Sequence, residues 1–131
     1  MNQIVFPDVR VVVIEDEVYT RTIIVRGLRQ LGIVKVHEAK DGGEGLKVVA
    51  TVRPNLILCD IHMEPIDGLR FLEDLRKLPI PAIAATPVVF LTADSEQSTV
   101  LAARNLRVDG YLVKPISVTQ LRKRIEVVLG G

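Results

Sequence analysis

Residues 55–68 read NLILCDIHMEPIDG, an almost uninterrupted apolar run that ends on an acidic residue, Asp60. A run this short and this rich in Leu and Ile is typical of a β-strand that is covered on both faces. Such strands belong to parallel sheets with helices on either side, in which the functional crevice lies at the carboxyl ends of the strands. The stretch therefore predicts a parallel α/β sheet with Asp60 at its functional edge.

Four further apolar runs of the same kind are spread along the chain. They are rich in Val, Ile and Leu, and several lack strict alternation of apolar and polar residues. Segments with helical periodicity separate them, so strand and helix alternate along the chain. This pattern predicts an α/β fold of the flavodoxin-like type, with a doubly wound, five-stranded parallel sheet in the order 2-1-3-4-5 and five helices. The predicted strands cover residues 9–14, 34–39, 55–60, 87–92 and 110–114.

The helical segments carry start signals as well as periodicity. Ser117 and Gln120 fit a capping box, and Asp41 and Asp94 stand where they could cap the helices that follow. Asp67, which precedes a glycine, is also interpreted as a helix cap. The second and fourth segments show the apolar pattern more weakly than the others. The predicted helices lie around residues 24–31, 43–52, 71–78, 95–106 and 118–128.

Composition limits the classes of protein to consider. A chain of 131 residues with 48% hydrophobic residues predicts one domain, spanning residues 1–131. A net charge of +1 argues against a protein that coats nucleic acid or an anionic membrane. A single cysteine, Cys59, allows no internal disulfide, so we expect a cytoplasmic location. The longest uncharged run, residues 78–93, is broken by prolines, and no membrane span is expected.

Polar side chains stand at the carboxyl ends of four of the predicted strands. Glu15 and Asp16 follow the first strand, and Asp60 ends the third. Thr92 ends the fourth strand and Lys114 the fifth. The carboxyl ends of parallel strands meet at one edge of a sheet, so we expect three carboxylates, a hydroxyl and an ammonium group to converge there.

The motifs VVVIEDE, LILCDIHMEPIDGL, FLTA and GYLVKP, in this order, resemble those of a response-regulator receiver domain over essentially the whole chain. Receiver domains are the phosphorylated modules of two-component signalling. The resemblance implies that Asp60 accepts a phosphoryl group from a histidine kinase or a phosphotransfer protein, and that Lys114 and Thr92 contact that group. Such a module is not an enzyme, since it catalyses only its own phosphorylation and dephosphorylation.

The resemblance also implies a bound Mg²⁺ ion. Its expected ligands are the side chains of Glu15, Asp16 and Asp60 and the backbone carbonyl of His62. Mg²⁺ prefers oxygen ligands of this kind and usually keeps several waters. His62 and Asp94 each stand two residues beyond a site residue. We expect them to set the lifetime of the phosphorylated state, because side chains there can orient or block the hydrolytic water.

A conformational switch follows from the same resemblance. Thr92 is expected to move towards the phosphoryl group and Tyr111 to swing into the space it leaves. A downstream target protein would then bind the surface of the fourth helix, fifth strand and fifth helix. The Lys114–Pro115 peptide bond is expected to be cis. No binding of nucleic acid or membrane by this domain is expected.

Other classes of protein share parts of this pattern. A phosphohydrolase of the haloacid-dehalogenase kind requires a second aspartate where His62 stands. A flavodoxin-like flavin binder needs a phosphate loop rich in Ser, Thr and Gly where this chain has Glu15, Asp16 and Glu17. A DNA-binding regulator is disfavoured because the chain ends just after the last predicted helix. We therefore expect a stand-alone receiver. Two alternatives stay open: a receiver-like interaction module that acts without phosphorylation, and a receiver fragment of a larger regulator.

Overall fold

The computed structural model describes residues 5–93 and 106–130 of the chain. Its sheet has five parallel strands in the order β2-β1-β3-β4-β5, which confirms the predicted fold class. Each strand differs from its predicted range by one residue at one end. The strands are β1 (Arg10–Ile14), β2 (Lys35–Ala39), β3 (Leu56–Asp60), β4 (Val88–Thr92) and β5 (Gly110–Val113).

Five α-helices lie within the described residues, and one of them, at Pro81–Ala84, was not indicated by the apolar pattern. Asp94 and all but the last residue of the predicted helix at 95–106 lie outside the described residues. Within the described ranges, no helix combines the length and the apolar character needed to cross a bilayer. A 3₁₀ turn at Phe6–Asp8 precedes β1. The helices are α1 (Val18–Gln30), α2 (Gly42–Val52), α3 (Gly68–Arg76), α4 (Pro81–Ala84) and α5 (Val118–Gly130).

Two apolar cores cover the two faces of the sheet. Val11 and Val13 of β1 pack into the core formed with α1 and α5. Val12 and Ile14 point to the opposite face and pack with α2 and α3. All five residues of β3 and all five of β4 are buried, whereas the edge strands β2 and β5 are partly exposed. Burial on both faces explains why the central strands read as continuous apolar runs.

The predicted helix caps at the start of α2, α3 and α5 are confirmed. Asp41 and Asp67 each accept a hydrogen bond of 2.8 Å from the backbone N–H three residues further on. Ser117 and Gln120 form a reciprocal capping box, with bonds of 3.0 and 3.1 Å between side chain and backbone. These caps fix the first turns of α2 and α3, which begin at the same edge of the sheet as Asp60.

Arg76, at the end of α3, links the segments at the amino ends of the strands, on the opposite side of the sheet from Asp60. Its guanidinium donates to carbonyl groups that precede β4 and to carbonyl groups that precede β5, and its side chain is only 8% exposed. The amino ends of these two strands are thus joined to α3 by one side chain. The acceptors are the carbonyl oxygens of Ala84 (2.8 Å), Thr86 (2.7 Å), Leu106 (3.1 Å) and Arg107 (2.9 Å), and Asp109 Oδ2 lies 3.6 Å away.

Candidate functional site

The carboxyl edge of the sheet brings together the charged residues that the strand ends indicated. Glu15, Asp16 and Asp60 can each offer a carboxylate oxygen, and these oxygens lie within 4.8 Å of one another. The Lys114 Nζ lies 2.7 Å from Glu15 Oε1 and 3.4 Å from Asp60 Oδ1. Residues separated by about a hundred positions in the sequence therefore form one cluster. Three carboxylates face one ammonium group, so the cluster attracts a further cation.

Glu15 is held more tightly than its position in a loop suggests. Its side chain is buried, and its two carboxylate oxygens accept hydrogen bonds from Lys114 Nζ and from the backbone N–H of Glu17, at 2.7 and 3.2 Å. Its own N–H donates to the carbonyl of Ala39 in β2 at 3.0 Å. Its carbonyl accepts a hydrogen bond of 2.7 Å from the Arg21 guanidinium. Main chain and side chain of Glu15 are thus both fixed.

Asp60 is the last residue of β3 and is only 5% exposed. Its Oδ1 accepts a hydrogen bond of 3.4 Å from the backbone N–H of His62. The start of α3 approaches it closely, because Gly68 has no side chain. A Cβ on Gly68 would lie 2.6 Å from the Asp60 carbonyl oxygen and 2.8 Å from the Cα of Ile61. Any larger residue at this position would therefore displace the loop that carries Asp60.

Thr92 and Tyr111 lie on the adjacent strands β4 and β5, and Thr92 stands at the strand end where the charged cluster lies. Thr92 ends β4, is buried, and accepts a hydrogen bond of 2.7 Å through its carbonyl from the N–H of Lys114. Tyr111 is half-buried in β5, and its ring centroid lies 6.2 Å from that of Phe90 at an interplanar angle of 46°. The structure thus places both residues of the expected switch next to the strand end that carries Lys114.

The other predicted site residues lie at the rim or outside the described residues. His62 has an exposed side chain and lines an open cavity of about 290 Å³ together with Asp16 and Asp67. The predicted role of Asp94 falls on a position that is outside the described residues. The Lys114–Pro115 peptide bond is cis, as predicted, and the Glu64–Pro65 bond, for which no prediction was made, is also cis.

Electrostatic interactions shift three pKa values at the site. Partial desolvation by its neighbours, reinforced by a hydrogen bond with Glu15 and by the charge of Glu15, raises the pKa of Asp16 although its side chain is exposed. Burial alone would lower the pKa of Lys114, but its hydrogen bond with Glu15 and the charge of Asp60 prevail and raise it. Burial and the neighbouring Asp60 raise the pKa of the Cys59 thiol well above its ordinary value, so Cys59 stays a packed thiol.

The donor set of the cluster fits a hard divalent cation. All three side chains offer carboxylate oxygens, two of them buried and the third, Asp16, facing solvent. Mg²⁺ is typically bound by one or two carboxylates and keeps several waters, which requires a site that is open on one side. The exposed side of Asp16 provides that opening. The cluster could therefore bind Mg²⁺.

A second cavity, of about 380 Å³, adjoins the cluster between α1 and the segment that follows β5. Tyr19 and Ile23 of α1 line it, although they are 73% and 42% exposed. Pro115 and Ile116 form the other wall, and Lys114 contributes to both the cavity and the charged cluster. This cavity, called the groove beside α1 below, is therefore largely apolar and reaches the charged cluster at Lys114.

Sequence reasoning missed three features of this site: the contact of Arg21 with Glu15, the close approach of Gly68, and the groove beside α1. Arg21 acts on a backbone carbonyl, and main-chain acceptors leave no trace in a sequence. Gly68 was interpreted only as part of a loop and cap. The apolar residues Tyr19 and Ile23, which precede the periodic apolar positions of the first predicted helix, are a sequence signal that could have indicated the groove.

Comparison with known proteins gives a consistent result. The family description "Response regulator receiver domain" matches residues 11–126 of this chain. A probable chemotaxis protein CheY of Rhizobium etli is 30% identical, over 94% of this chain and 94% of its own. The KDP operon transcriptional regulatory protein KdpE of Escherichia coli is 36% identical over 91% of this chain, which spans 50% of that protein.

Solved structures support the same relationship. The chemotaxis protein CheY4 of Vibrio cholerae is similar with a TM-score of 0.84 at 25% identity, covering 92% of this chain and 98% of that one. The structural match covers nearly the whole chain, as does the sequence match at residues 11–126. The chain belongs to the response regulator receiver domain family of two-component systems.

Proposed function

We propose that Asp60 accepts a phosphoryl group from a phosphohistidine of a histidine kinase or phosphotransfer protein, and that the chain, as one receiver domain over residues 1–131, then signals by binding another protein. The observation that carries this proposal is the position of Lys114, whose Nζ lies 3.4 Å from Asp60 Oδ1 within a cluster of three carboxylates. An ammonium group beside a nucleophilic carboxylate can also neutralise charge on an incoming phosphoryl group.

The reaction needs a nucleophile, charge neutralisation and alignment. An Asp60 carboxylate oxygen attacks phosphorus, the bond between phosphorus and the donor's imidazole nitrogen breaks, and the imidazole leaves with the bonding electrons. Lys114 Nζ is close enough to Asp60 to contact the oxygens of the transferred phosphoryl group, and the Thr92 hydroxyl can donate a hydrogen bond to them. Bound Mg²⁺, held by Glu15, Asp16, Asp60 and the His62 carbonyl, would supply the remaining positive charge.

The switch uses Thr92 and Tyr111. Formation of the aspartyl phosphate draws the Thr92 hydroxyl towards Asp60, and Tyr111 turns into the space that is left. Driving a two-state equilibrium from about 1:99 to 99:1 takes roughly 5.5 kcal/mol. Two or three charge-assisted hydrogen bonds at about 1.5–3 kcal/mol each approach that value. The target protein would bind the surface formed by the predicted fourth helix, β5 and α5.

The groove beside α1 is suited to the phosphate donor. A donor must bring its phosphohistidine to Asp60, so its docking surface has to flank the charged cluster. Tyr19 and Ile23 supply exposed apolar area there, and the groove ends at Lys114. We place this encounter in the cytoplasm. His62, at the rim of the site, and Asp94 are proposed to tune the lifetime of the phosphorylated state.

A second arrangement is favoured by the match to KdpE, of which this chain spans half. In that arrangement the domain is the receiver of a longer regulator and its target is a further part of the same protein. The phosphorylation chemistry is identical in both arrangements. They differ only in whether the surface of β5 and α5 contacts a separate protein or a linked domain.

Intact-mass measurement after exposure to a small phosphodonor with Mg²⁺ tests the proposal. We expect one phosphoryl group on the parent protein and none on Asp60→Asn. Asp67→Asn is the matched control, because it makes the same chemical change at a nearby acid whose side chain caps α3, and it should be phosphorylated like the parent. A parent that takes up no phosphoryl group would favour the silent interaction module. Turnover of added phosphate esters would favour a hydrolase.

A further inference from the structure

Arg21 of α1 links three elements around the acidic pair. Its Nη1 donates to the carbonyl oxygen of Glu15 at 2.7 Å, and its Nε pairs with Glu38 Oε1 of β2 at 3.0 Å. The side chain is 17% exposed, so its stem is largely packed and its head lies at the rim of the site. An arginine fork is suited to this task, because its donors are rigidly spaced and can serve two acceptors at once.

The bond to Glu15 fixes the peptide group that leads into Asp16. The N–H of Glu15 is already held by Ala39 of β2 at 3.0 Å. With its carbonyl also held, by Arg21, the peptide plane between Glu15 and Asp16 cannot rotate freely. Together with the φ angle of Asp16, that plane sets the direction in which the Asp16 side chain leaves the backbone. Arg21 therefore aims both acids of the pair, although it contacts neither carboxylate.

The Arg21 guanidinium is itself held at the rim of the site by an acid of β2. Glu38 is 49% exposed and orients the guanidinium at the rim. Loss of a group that orients metal ligands weakens metal binding, because the ligands become free to move.

We propose that Arg21 is a positioning residue for cation binding by Glu15 and Asp16. This inference rests on the proposed function, since that function requires Mg²⁺ at the cluster. The loss of such an orienting residue typically weakens metal affinity about 10–100-fold. Arg21 differs from a residue that only stabilises the fold, because its removal should change the apparent affinity for Mg²⁺ while the protein stays folded.

Isothermal titration with Mg²⁺ alone tests the inference directly. We expect Arg21→Ala to bind Mg²⁺ about tenfold more weakly than the parent. In phosphorylation by a small phosphodonor, the half-saturating Mg²⁺ concentration should rise by the same factor, whereas the rate at saturating Mg²⁺ should stay within about twofold of the parent. Arg26→Ala is the matched control, because Arg26 is an exposed arginine on the same helix. It should leave both quantities unchanged.

Two further variants keep the test decisive if Arg21→Ala fails to fold. Arg21→Lys keeps the charge but replaces the fork with a single ammonium group, and Glu38→Gln keeps an acceptor but removes the partner's charge. Both should bind Mg²⁺ with an affinity between those of the parent and the alanine variant. A folded Arg21→Ala protein with the Mg²⁺ affinity of the parent would overturn the inference alone. A parent protein that binds no Mg²⁺ would instead overturn the proposed function.

Discussion

Replacing Arg76 by alanine should cost a large part of the domain's stability. The change removes four hydrogen bonds from a charged group to main-chain carbonyls, at 2.7–3.1 Å, and a pairing with Asp109 at 3.6 Å. Each such bond, removed singly, typically costs a protein about 1.5–3 kcal/mol of stability. Their sum is an upper limit, because the guanidinium regains its hydration on unfolding and some carbonyls in the variant bind water.

We expect the free energy of unfolding of Arg76→Ala to fall by about 3–5 kcal/mol, because each part-buried carbonyl that loses its donor costs about 1–3 kcal/mol unless water replaces the donor. For a domain of this size that corresponds to a fall in Tm of about 10–20 °C. Urea and thermal denaturation followed by circular dichroism measure both quantities. Arg76→Lys, with three donors in place of five, should fall between the parent and the alanine variant.

Arg70→Ala is the control for this measurement. Arg70 is also in α3, but its side chain is 65% exposed and pairs with Asp74 one turn away. An exposed pair of this kind contributes about 0.5 kcal/mol or less. If the free energy of unfolding of Arg76→Ala were within about 1 kcal/mol of that of the parent, water would hydrogen-bond to the four carbonyls as favourably as the guanidinium does. The amino edge of the sheet would then not depend on Arg76.

Two further predictions concern the opposite edge. In Gly68→Ala the new Cβ meets backbone atoms 2.6 and 2.8 Å away, so the loop carrying Asp60 must shift. We expect urea denaturation to show a free energy of unfolding about 1–3 kcal/mol lower than that of the parent, and we expect slower phosphorylation by a small phosphodonor. Values like those of the parent for both quantities would contradict the packing argument. The raised pKa of Asp16 means that its ionisation costs stability in the folded state, so in EDTA the free energy of unfolding should fall as pH rises from about the unfolded value of 3.8 through the raised pKa. Asp16→Asn should therefore be more stable than the parent at pH 7 in EDTA, and it should lose that advantage below pH 3.8. Added Mg²⁺ should stabilise Asp16→Asn less than it stabilises the parent. A stability advantage that does not depend on pH would rule out the ionisation of Asp16 as its cause.

Much of the fold could be predicted from the sequence because the central strands are buried on both faces. The continuous apolar runs at β3 and β4 lack the alternation of apolar and polar residues that an amphipathic element shows, which indicates burial on both faces. The acidic residue that ends β3 and the hydroxyl residue that ends β4 identify the functional edge of the sheet. The short helix at Pro81–Ala84 could not be predicted in this way. Four residues are too few to show helical periodicity, and the prolines at positions 79, 81 and 87 indicate a loop.

The contacts that organise the site were less accessible to sequence reasoning. The approach of Glu15, Asp60 and Lys114 follows from strand order, but the preference of the lysine for Glu15, at 2.7 Å against 3.4 Å for Asp60, depends on side-chain geometry. Arg21 and Arg76 act mainly on backbone carbonyls. Any residue supplies such an acceptor, so the partner positions carry no recognisable side-chain type.

The short bond between the Thr92 carbonyl and the Lys114 amide pins the main chain at the point where the threonine side chain departs. Rotation about one bond, χ1, is then the least costly motion available to that residue. A β-branched side chain has few and well-separated torsional wells. Any response of Thr92 to its surroundings should therefore be a jump between discrete positions. A partly responding sample would be a mixture of two populations with separate spectroscopic signals, rather than one intermediate geometry.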